Sequence, residues 1–229
     1  MKKCPILLSL IALFGLLSCE EELSSIQLDR NEIIIHYDES EQLNVTYSPT
    51  DVDVPPVLIW ETANNKIAKV SSNGTVAGVR VGETSVVVKT MDEKFVDSCT
   101  VIVESQSQLY TEPIYDLGQS ISYVKSNEAR NLLLEESDRL IFEDSNANVI
   151  YVMYLFGVDG LERVTLLLKN GVWESAKLFL TERYEPYNSI SDKLYFKINE
   201  QVMVELGTDP TLGLLLTYKA NTRESSTRP

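Results

Sequence analysis

The chain has 229 residues, which is enough for one large domain or two small ones. Hydrophobic residues make up 44% and charged residues 24%, a composition that excludes a wholly disordered chain. The net charge of −14 argues against a nucleic-acid partner, because phosphate binding needs clustered Lys and Arg. One His and three Cys are too few for a typical zinc site, and we expect no metal and no cofactor.

Residues 1–18 have the features of a secretory signal peptide. Lys2 and Lys3 form a positive start, and the apolar stretch over residues 5–17 is shorter than a membrane-spanning helix. The stretch ends on Leu16-Leu17-Ser18-Cys19, which resembles the lipobox of bacterial lipoproteins. This resemblance implies cleavage before Cys19 and a diacylglycerol on its thiol. The alternative is an ordinary signal peptide followed by a chance cysteine.

Residues 19–24 are interpreted as an acidic tether, with Glu20-Glu21-Glu22 directly after the lipidated cysteine. This run resembles the export signal of Bacteroidota lipoproteins that reach the outer face of the outer membrane; the alternative is a solvated spacer. The resemblance implies an outer-membrane protein that is anchored in the lipid bilayer through acylated Cys19 and faces the cell exterior. Cys99 is then left without a disulfide partner.

Residues 25–104 alternate apolar and polar side chains over short runs, which is the period of half-buried β-strands. The alternation is clear over residues 43–47, 86–89 and 99–103. Turn signals such as Asn73-Gly74 and Gly82 separate the runs. The pattern predicts a small β-sandwich.

Several segments of this region resemble the bacterial immunoglobulin-like (Ig-like) domain of group two. They include Trp60-Glu61-Thr62-Ala63-Asn64, the stretch over residues 67–78 and Val81-Gly82-Glu83-Thr84-Ser85-Val86. We expect Trp60 to fill the centre of the sandwich. Domains of this family occur in adhesins and often serve only as spacers, so the fold alone does not name a function.

Residues 105–110 are interpreted as a polar linker, residues 111–222 as a second domain and residues 223–229 as a polar tail. Helical periods in the second domain predict one helix from Ser120 to about Arg130 and another with Trp173, Ala176, Leu180 and Tyr184 on one face. Three strands follow each predicted helix, over residues 140–142, 149–156, 161–169, 194–198, 202–206 and 212–218. We therefore expect an α+β domain with an antiparallel sheet and two helices.

Two short motifs recur in this second domain. Residues 137–142 resemble residues 191–196, and the turn over residues 157–160 resembles that over residues 207–210. The recurrence indicates a possible internal duplication, or the chance repetition of common turns and Leu-rich strands. Residues 149–156 are apolar throughout, which predicts a strand covered on both faces. The helices would cover one face, and the Ig-like domain, a dimer mate or a ligand the other.

Residues with catalytic or metal-binding chemistry are few, and we predict no catalytic residue and no metal site. His36 has the position of a solvent-facing strand residue, and Cys99 that of a buried, unreactive thiol. Asp51 with Asp53, or Asp159 with Glu162, offer oxygens to Ca²⁺ without an EF-hand pattern. The sequence also lacks a Gly-x-Ser-x-Gly nucleophile motif.

Tyr115, Trp173 and Tyr187 are the candidate ligand contacts, because aromatic faces stack on sugars and anchor protein interfaces. Trp173 also has the spacing of a core residue. The sequence therefore favours a surface-anchored binding or adhesion protein, in which an Ig-like stalk presents the second domain to a glycan or protein. The alternatives are a structural or assembly subunit of an envelope complex, and an uncharacterised hydrolase.

Overall fold

The computed structural model describes residues 22–50, 55–190 and 192–221. The signal peptide, Cys19, the pair Asp51 and Asp53, and the tail over residues 223–229 lie outside these ranges. Strands account for 52% of the structure and helices for 8%. Within the described ranges, neither helix has the length and apolar character needed to cross a membrane.

Nine strands form the N-terminal half. They are β1 (Ser25–Leu28), β2 (Glu32–His36), β3 (Ser40–Gln42), β4 (Val45–Ser48), β5 (Leu58–Thr62), β6 (Ala68–Val70), β7 (Thr75–Gly78), β8 (Gly82–Thr90) and β9 (Val96–Glu104). One sheet has the order β2-β9-β8-β5 and another β3-β7-β6, while β1 pairs with β4. The pairing of β2 with β9 is parallel. This arrangement fits the predicted Ig-like sandwich.

The core of this half is formed by apolar residues that alternate with more exposed residues along the strands. Val86, Val88, Cys99 and Val101 point inward and are buried. Trp60 is only partly buried beside this core, so its predicted place at the centre is wrong. The reason is its position on β5, the edge strand of its sheet.

The C-terminal half contains two helices and one large sheet. Its elements are α1 (Ile121–Asn127), β10 (Asn131–Glu135), β11 (Arg139–Glu143), β12 (Val149–Gly157), β13 (Gly160–Leu168), α2 (Trp173–Thr181), β14 (Glu185–Ile190), β15 (Lys193–Lys197), β16 (Val202–Asp209) and β17 (Gly213–Ala220). The eight strands form an antiparallel sheet in the order β10-β11-β12-β13-β17-β16-β15-β14.

The predicted α+β class of the second domain is wrong, because this domain is mostly β. Its helices have only seven and nine residues, since the helical period lasts about two turns in each. Four strands follow each helix rather than the predicted three. The missed strands, β10 and β14, lie at the two edges of the sheet.

The two halves of the eight-stranded sheet meet at β13 and β17. Thr165 and Thr217 lie directly opposite each other at this seam, with their hydroxyl oxygens 3.3 Å apart. On each side of the seam, the four strands follow one another in chain order from the edge to the seam. The sheet is therefore symmetric in its connectivity.

One face of the sheet, called the inner face here, carries the core. Two rows of apolar residues cross it and pack against Val124 of α1 and against Phe179 and Leu180 of α2. The rows consist of Leu140, Tyr154, Val164, Tyr218, Val204 and Phe196, and of Phe142, Val152, Leu166, Leu216, Leu206 and Leu194. The opposite face is called the open face.

The segment between the two halves is held by Glu182, which follows α2. The backbone N–H groups of Gln106 and Ser107 donate to the Glu182 carboxylate, at 2.8 and 3.1 Å. The Val81 N–H donates to the Glu182 backbone carbonyl at 2.7 Å. Glu182 therefore joins the Ig-like half, the connecting segment and the sheet half. The division into domains at residues 105–110 stays a prediction.

Candidate functional site

The three aromatic residues predicted as ligand contacts lie on three different elements. Tyr115 precedes α1 and stacks on Tyr218, with ring centroids 5.2 Å apart and an interplanar angle of 3°. Trp173 begins α2, and both Tyr115 and Trp173 are partly buried against the core. Tyr187 lies on edge strand β14 and is 41% exposed. Their role in binding stays a prediction.

A cluster of buried tyrosines fixes the segment before α1 to the sheet. The hydroxyls of Tyr110 and Tyr218 lie 2.8 Å apart, and the Tyr184 hydroxyl donates to the Glu112 carboxylate. Burial raises the pKa of Tyr110, Tyr184 and Tyr218 well above the usual tyrosine value. These phenols are neutral at physiological pH, so the cluster is structural. The cluster was not predictable from the sequence because its members are far apart in the chain.

A second polar cluster surrounds Arg130, in a pocket of about 330 Å³. Arg130 Nε lies 2.6 Å from Asp144 Oδ2, and Nη1 lies 2.9 Å from Glu128 Oε1. The Tyr154 hydroxyl also donates to Glu128. Burial alone would lower the pKa of Arg130, but its two ion pairs keep that pKa above the usual value.

This pocket also gathers the carboxylates of Glu112 and Glu143, so it is the place where hydrolytic chemistry would be sought. Glu128 and Asp144 are both bound to Arg130, and Glu112 accepts from Tyr184. Such mutual pairing is typical of a structural ion network. The expectation that the protein is not an enzyme stays a prediction.

The open face of the sheet presents a mixture of apolar and charged side chains. Its central row consists of Leu134, Ile141, Met153, Thr165, Thr217, Glu205, Tyr195 and Asn188. A neighbouring row consists of Arg139, Leu155, Arg163, Lys219, Met203 and Lys197. Both helices pack on the inner face, so this face is available to a partner.

Several apolar side chains of the open face are buried or half-buried outside the core. Leu167, Tyr195 and Met203 are buried but do not belong to the core cluster. Met153 and Leu155 of β12 are partly buried, whereas Val152 and Tyr154 on the inner side of the same strand are fully buried. The helices therefore cover the inner face of residues 149–156, and the cover expected for the other face, by the Ig-like domain, a dimer mate or a ligand, stays a prediction.

Charged groups on the open face are largely paired. Glu205 Oε1 lies 2.6 Å from Lys193 Nζ, and the other Glu205 oxygen binds Lys219. Burial would raise the pKa of Glu205, but the two lysines hold it below the usual value. Arg163 is exposed opposite Lys219 and has no ion-pair partner among the described residues. It is a cation available to a ligand.

The other candidate residues take up structural positions. His36 is partly exposed, with Nδ1 3.2 Å from Glu39 Oε2, and Cys99 is fully buried. Burial also raises the pKa of the Cys99 thiol. Asp159 lies in the β12–β13 turn, and Glu162 follows it on β13. The part of the chain that the structure describes holds no group of three or more His, Cys, Asp or Glu side chains placed to bind one metal ion.

Comparisons with known proteins give one domain match and several similar solved structures. The chain is similar to solved structures of the surface layer protein SbsC. Domains 1–6 give 12% identity and a TM-score of 0.33, with 87% of this chain and 22% of that chain covered. Domains 5–6 give 13% identity and the same TM-score, with 87% and 85% covered.

Domains 1–4 of protocadherin gamma B7 give 9% identity and a TM-score of 0.30, with 85% of this chain and 48% of that chain covered. This chain thus spans about a fifth of the six-domain SbsC structure. No curated protein matches the sequence. Residues 22–101, however, match the model of the bacterial Ig-like domain (group 2), so the predicted Ig-like domain is confirmed.

Proposed function

We propose that the protein is a lipid-anchored binding protein of the bacterial surface, in which the Ig-like domain is the stalk and the eight-stranded sheet domain is the head. The observation that carries this proposal is the open face of the sheet. It offers the partly exposed side chains of Met153 and Leu155 together with Arg163, a cation without an ion-pair partner among the described residues. A surface that presents apolar side chains among charged ones fits a protein interface.

The two ends of the Ig-like domain have different neighbours, which supports its role as a stalk. Strands β8 and β9 have nine residues each, so each spans about 30 Å. At one end Val81, just before β8, contacts Glu182 of the head. At the other end, residues of the β8–β9 turn line a depression together with Glu22 and Leu23. The chain thus enters the domain at the end opposite the head.

The open face favours a protein ligand over a glycan. Met and Arg are enriched at protein interfaces, and both occur on this face as the partly exposed Met153 and the exposed Arg163. A neutral glycan that stacks on Tyr187, Tyr115 or Trp173 is the alternative ligand. In either case, the ligand is not a nucleic acid, in keeping with the net charge of −14.

The binding proposal is tested with residues 20–229 on arrays of host proteins and glycans. Met153→Glu places a charge on the open face and should weaken binding at least tenfold. The matched control is Val158→Glu, since Val158 is fully exposed in the β12–β13 turn. Equal binding by both variants would refute the assignment to the open face. Loss of binding in Tyr187→Ala alone would move the site to β14.

The lipid anchor is tested separately. Cys19→Ala should leave the protein unlipidated and release it from the membrane fraction. Retention of this variant in the membrane would refute the anchor without bearing on the open face. Protease added to intact cells then tests whether the head is exposed on the outer surface, as proposed.

One observation favours the alternative of an assembly subunit. Edge strand β10 exposes three consecutive leucines, Leu132, Leu133 and Leu134, with Leu133 58% exposed. The opposite edge, β14, is polar and contains Pro186, which cannot donate a backbone hydrogen bond to a further strand. Strand β10 is therefore the edge suited to accept a partner strand.

This alternative predicts that the protein co-purifies with an envelope partner and that Leu133→Lys abolishes the association. Ile190→Lys is the matched control, because it places the same charge on an exposed residue of the other edge. If both variants keep the partner, or if no partner is recovered with the native chain, the assembly function is refuted.

A further inference from the structure

An apolar patch lies at the end of the Ig-like domain that is farthest from the head. Leu23, Val57, Met91 and Phe95 line one open depression there, and they are called the tip patch. Met91 is 68% exposed and Val57 64% exposed. The Met91 N–H donates to the Val57 carbonyl at 3.2 Å, so these two exposed residues are neighbours. Adjacent exposed apolar side chains of this size mark an interaction surface.

The position of the tip patch in the chain indicates what covers it. Leu23 is four residues from Cys19, and an extended chain spans at most about 3.3–3.6 Å per residue. The patch therefore lies within roughly 14 Å of the cysteine that carries the proposed lipid anchor. A surface this close to an acylated residue is within reach of the lipid head groups.

The charges around the tip patch are partly paired with one another. Lys89 Nζ lies 2.7 Å from Glu93 Oε1, and the Thr90 hydroxyl donates to Asp92 at 2.6 Å. Lys94 lies over the Phe95 ring, with Nζ 5.2 Å from its centroid. The two lysines of this turn balance its two acids, whereas Glu22, which lines the same depression, and Glu61, which lies 3.3 Å from Lys89, add negative charge to the tip. Contact with a bilayer therefore has to come from the apolar side chains and not from attraction to anionic head groups.

We propose that the tip patch rests on the lipid bilayer, with Met91 and Val57 in the interfacial region beside the acyl chains on Cys19. This inference rests on the proposed lipid anchor. A single lipidated residue would by itself leave the tilt of the stalk undefined. A second contact through the tip patch fixes its orientation and keeps the head at the far end of the roughly 30 Å strands.

The experiment uses the lipidated full-length protein in vesicles of phosphatidylethanolamine and phosphatidylglycerol. A nitroxide label is attached to Met91→Cys, and the control is the same label on Val158→Cys, which is fully exposed in the head. Cys99 is fully buried and does not compete for the label. We expect oxygen collisions to increase and collisions with a water-soluble nickel complex to fall severalfold at position 91 relative to position 158. A labelled Val57→Cys variant should behave as Met91→Cys does.

Flotation of the vesicles separates the possible failures. If the protein floats with the vesicles and the label at position 91 is as accessible to nickel as that at position 158, the tip proposal is overturned and the anchor stands. If the native chain does not float, the anchor and the tip proposal both fail. Reduced nickel collisions at positions 57 and 91 in floating protein support the proposal.

Discussion

Replacing Glu182 with alanine should destabilise the junction between the Ig-like domain and the sheet. The Glu182 side chain is fully buried and accepts the N–H groups of Gln106 and Ser107, besides its ion pair with Arg183. Each buried N–H that loses its acceptor costs about 1–3 kcal/mol, and breaking a buried ion pair costs about 3–5 kcal/mol.

Arg183 limits this loss, because it has other partners. Its guanidinium also donates to the backbone carbonyls of Ser107 and Phe179, at 3.0 and 3.1 Å, and stacks on the Phe179 ring. These free-energy costs are not additive, because one carboxylate accepts from both N–H groups and from Arg183. We therefore expect Glu182→Ala to lower the free energy of unfolding by about 3–5 kcal/mol.

The two tryptophans of the chain provide the assay, because Trp60 lies in the Ig-like domain and Trp173 in α2. Urea unfolding of residues 20–229 is followed by fluorescence in a Trp60→Phe background, where Trp173 reports on the sheet domain. Glu174→Ala is the control. Glu174 is exposed on the same helix, so its replacement should lower the free energy of unfolding by less than about 0.5 kcal/mol. A loss below about 1 kcal/mol in Glu182→Ala would refute the reasoning.

Three further predictions concern the folded core. Cys99 should react with a thiol reagent only after unfolding, because its thiol is buried and its pKa is raised; fast reaction of the native protein would contradict this. Gly74→Ala should lower the melting temperature, since Gly74 has a φ of +86° and a Cβ there would lie 2.7 Å from the Leu43 carbonyl oxygen; an unchanged temperature would count against the turn geometry. Burial raises the pKa of Tyr184, so its contribution to stability is complete below the unfolded value of about 10 and is lost as the pH rises above it. Tyr184→Phe should therefore lose less unfolding free energy than the native protein between pH 9 and pH 11, and equal losses would contradict the assignment.

The Ig-like domain was predictable from sequence because each of its long strands has one buried face. In β9, for example, Cys99, Val101 and Val103 are buried while Thr100 and Ile102 are less so. That difference between the faces produces the alternation in the sequence. The turn at Asn73-Gly74 was predictable for a local reason, since Gly74 adopts a positive φ.

The class of the second domain was mispredicted because its edge strands lack that alternation. All five residues of β10 and all six of β14 are exposed, so neither strand has a buried face that selects apolar residues at every second position. With β10 and β14 left out, the two helices made up a larger share of the predicted domain than of the observed one. The short helical periods around Val124 and Phe179 were real, but each lasts about two turns.

The candidate site was only partly readable from sequence. The uninterrupted apolar run of β12 indicated that both faces of this strand are covered. It did not indicate which face the helices cover and which face is left to a partner. The pairing of Arg130 with Asp144, and of Glu182 with Gln106, depends on how distant segments fold together. No local pattern marks such partners, because a charged residue looks the same in a sequence whether it is buried or exposed.

The parallel pairing of β2 with β9 has a mechanical consequence. In a protein held at its N-terminus and loaded through its head, the force pulls β2 by its first residue and β9 by its last. The two strands then slide along each other, so the five paired positions from Glu32 with Thr100 to His36 with Glu104 share the load at once. Strands that were peeled apart would break these contacts one after another. Because forced unfolding is governed by the unfolding rate, the domain should resist a sustained pull better than its small core alone would indicate.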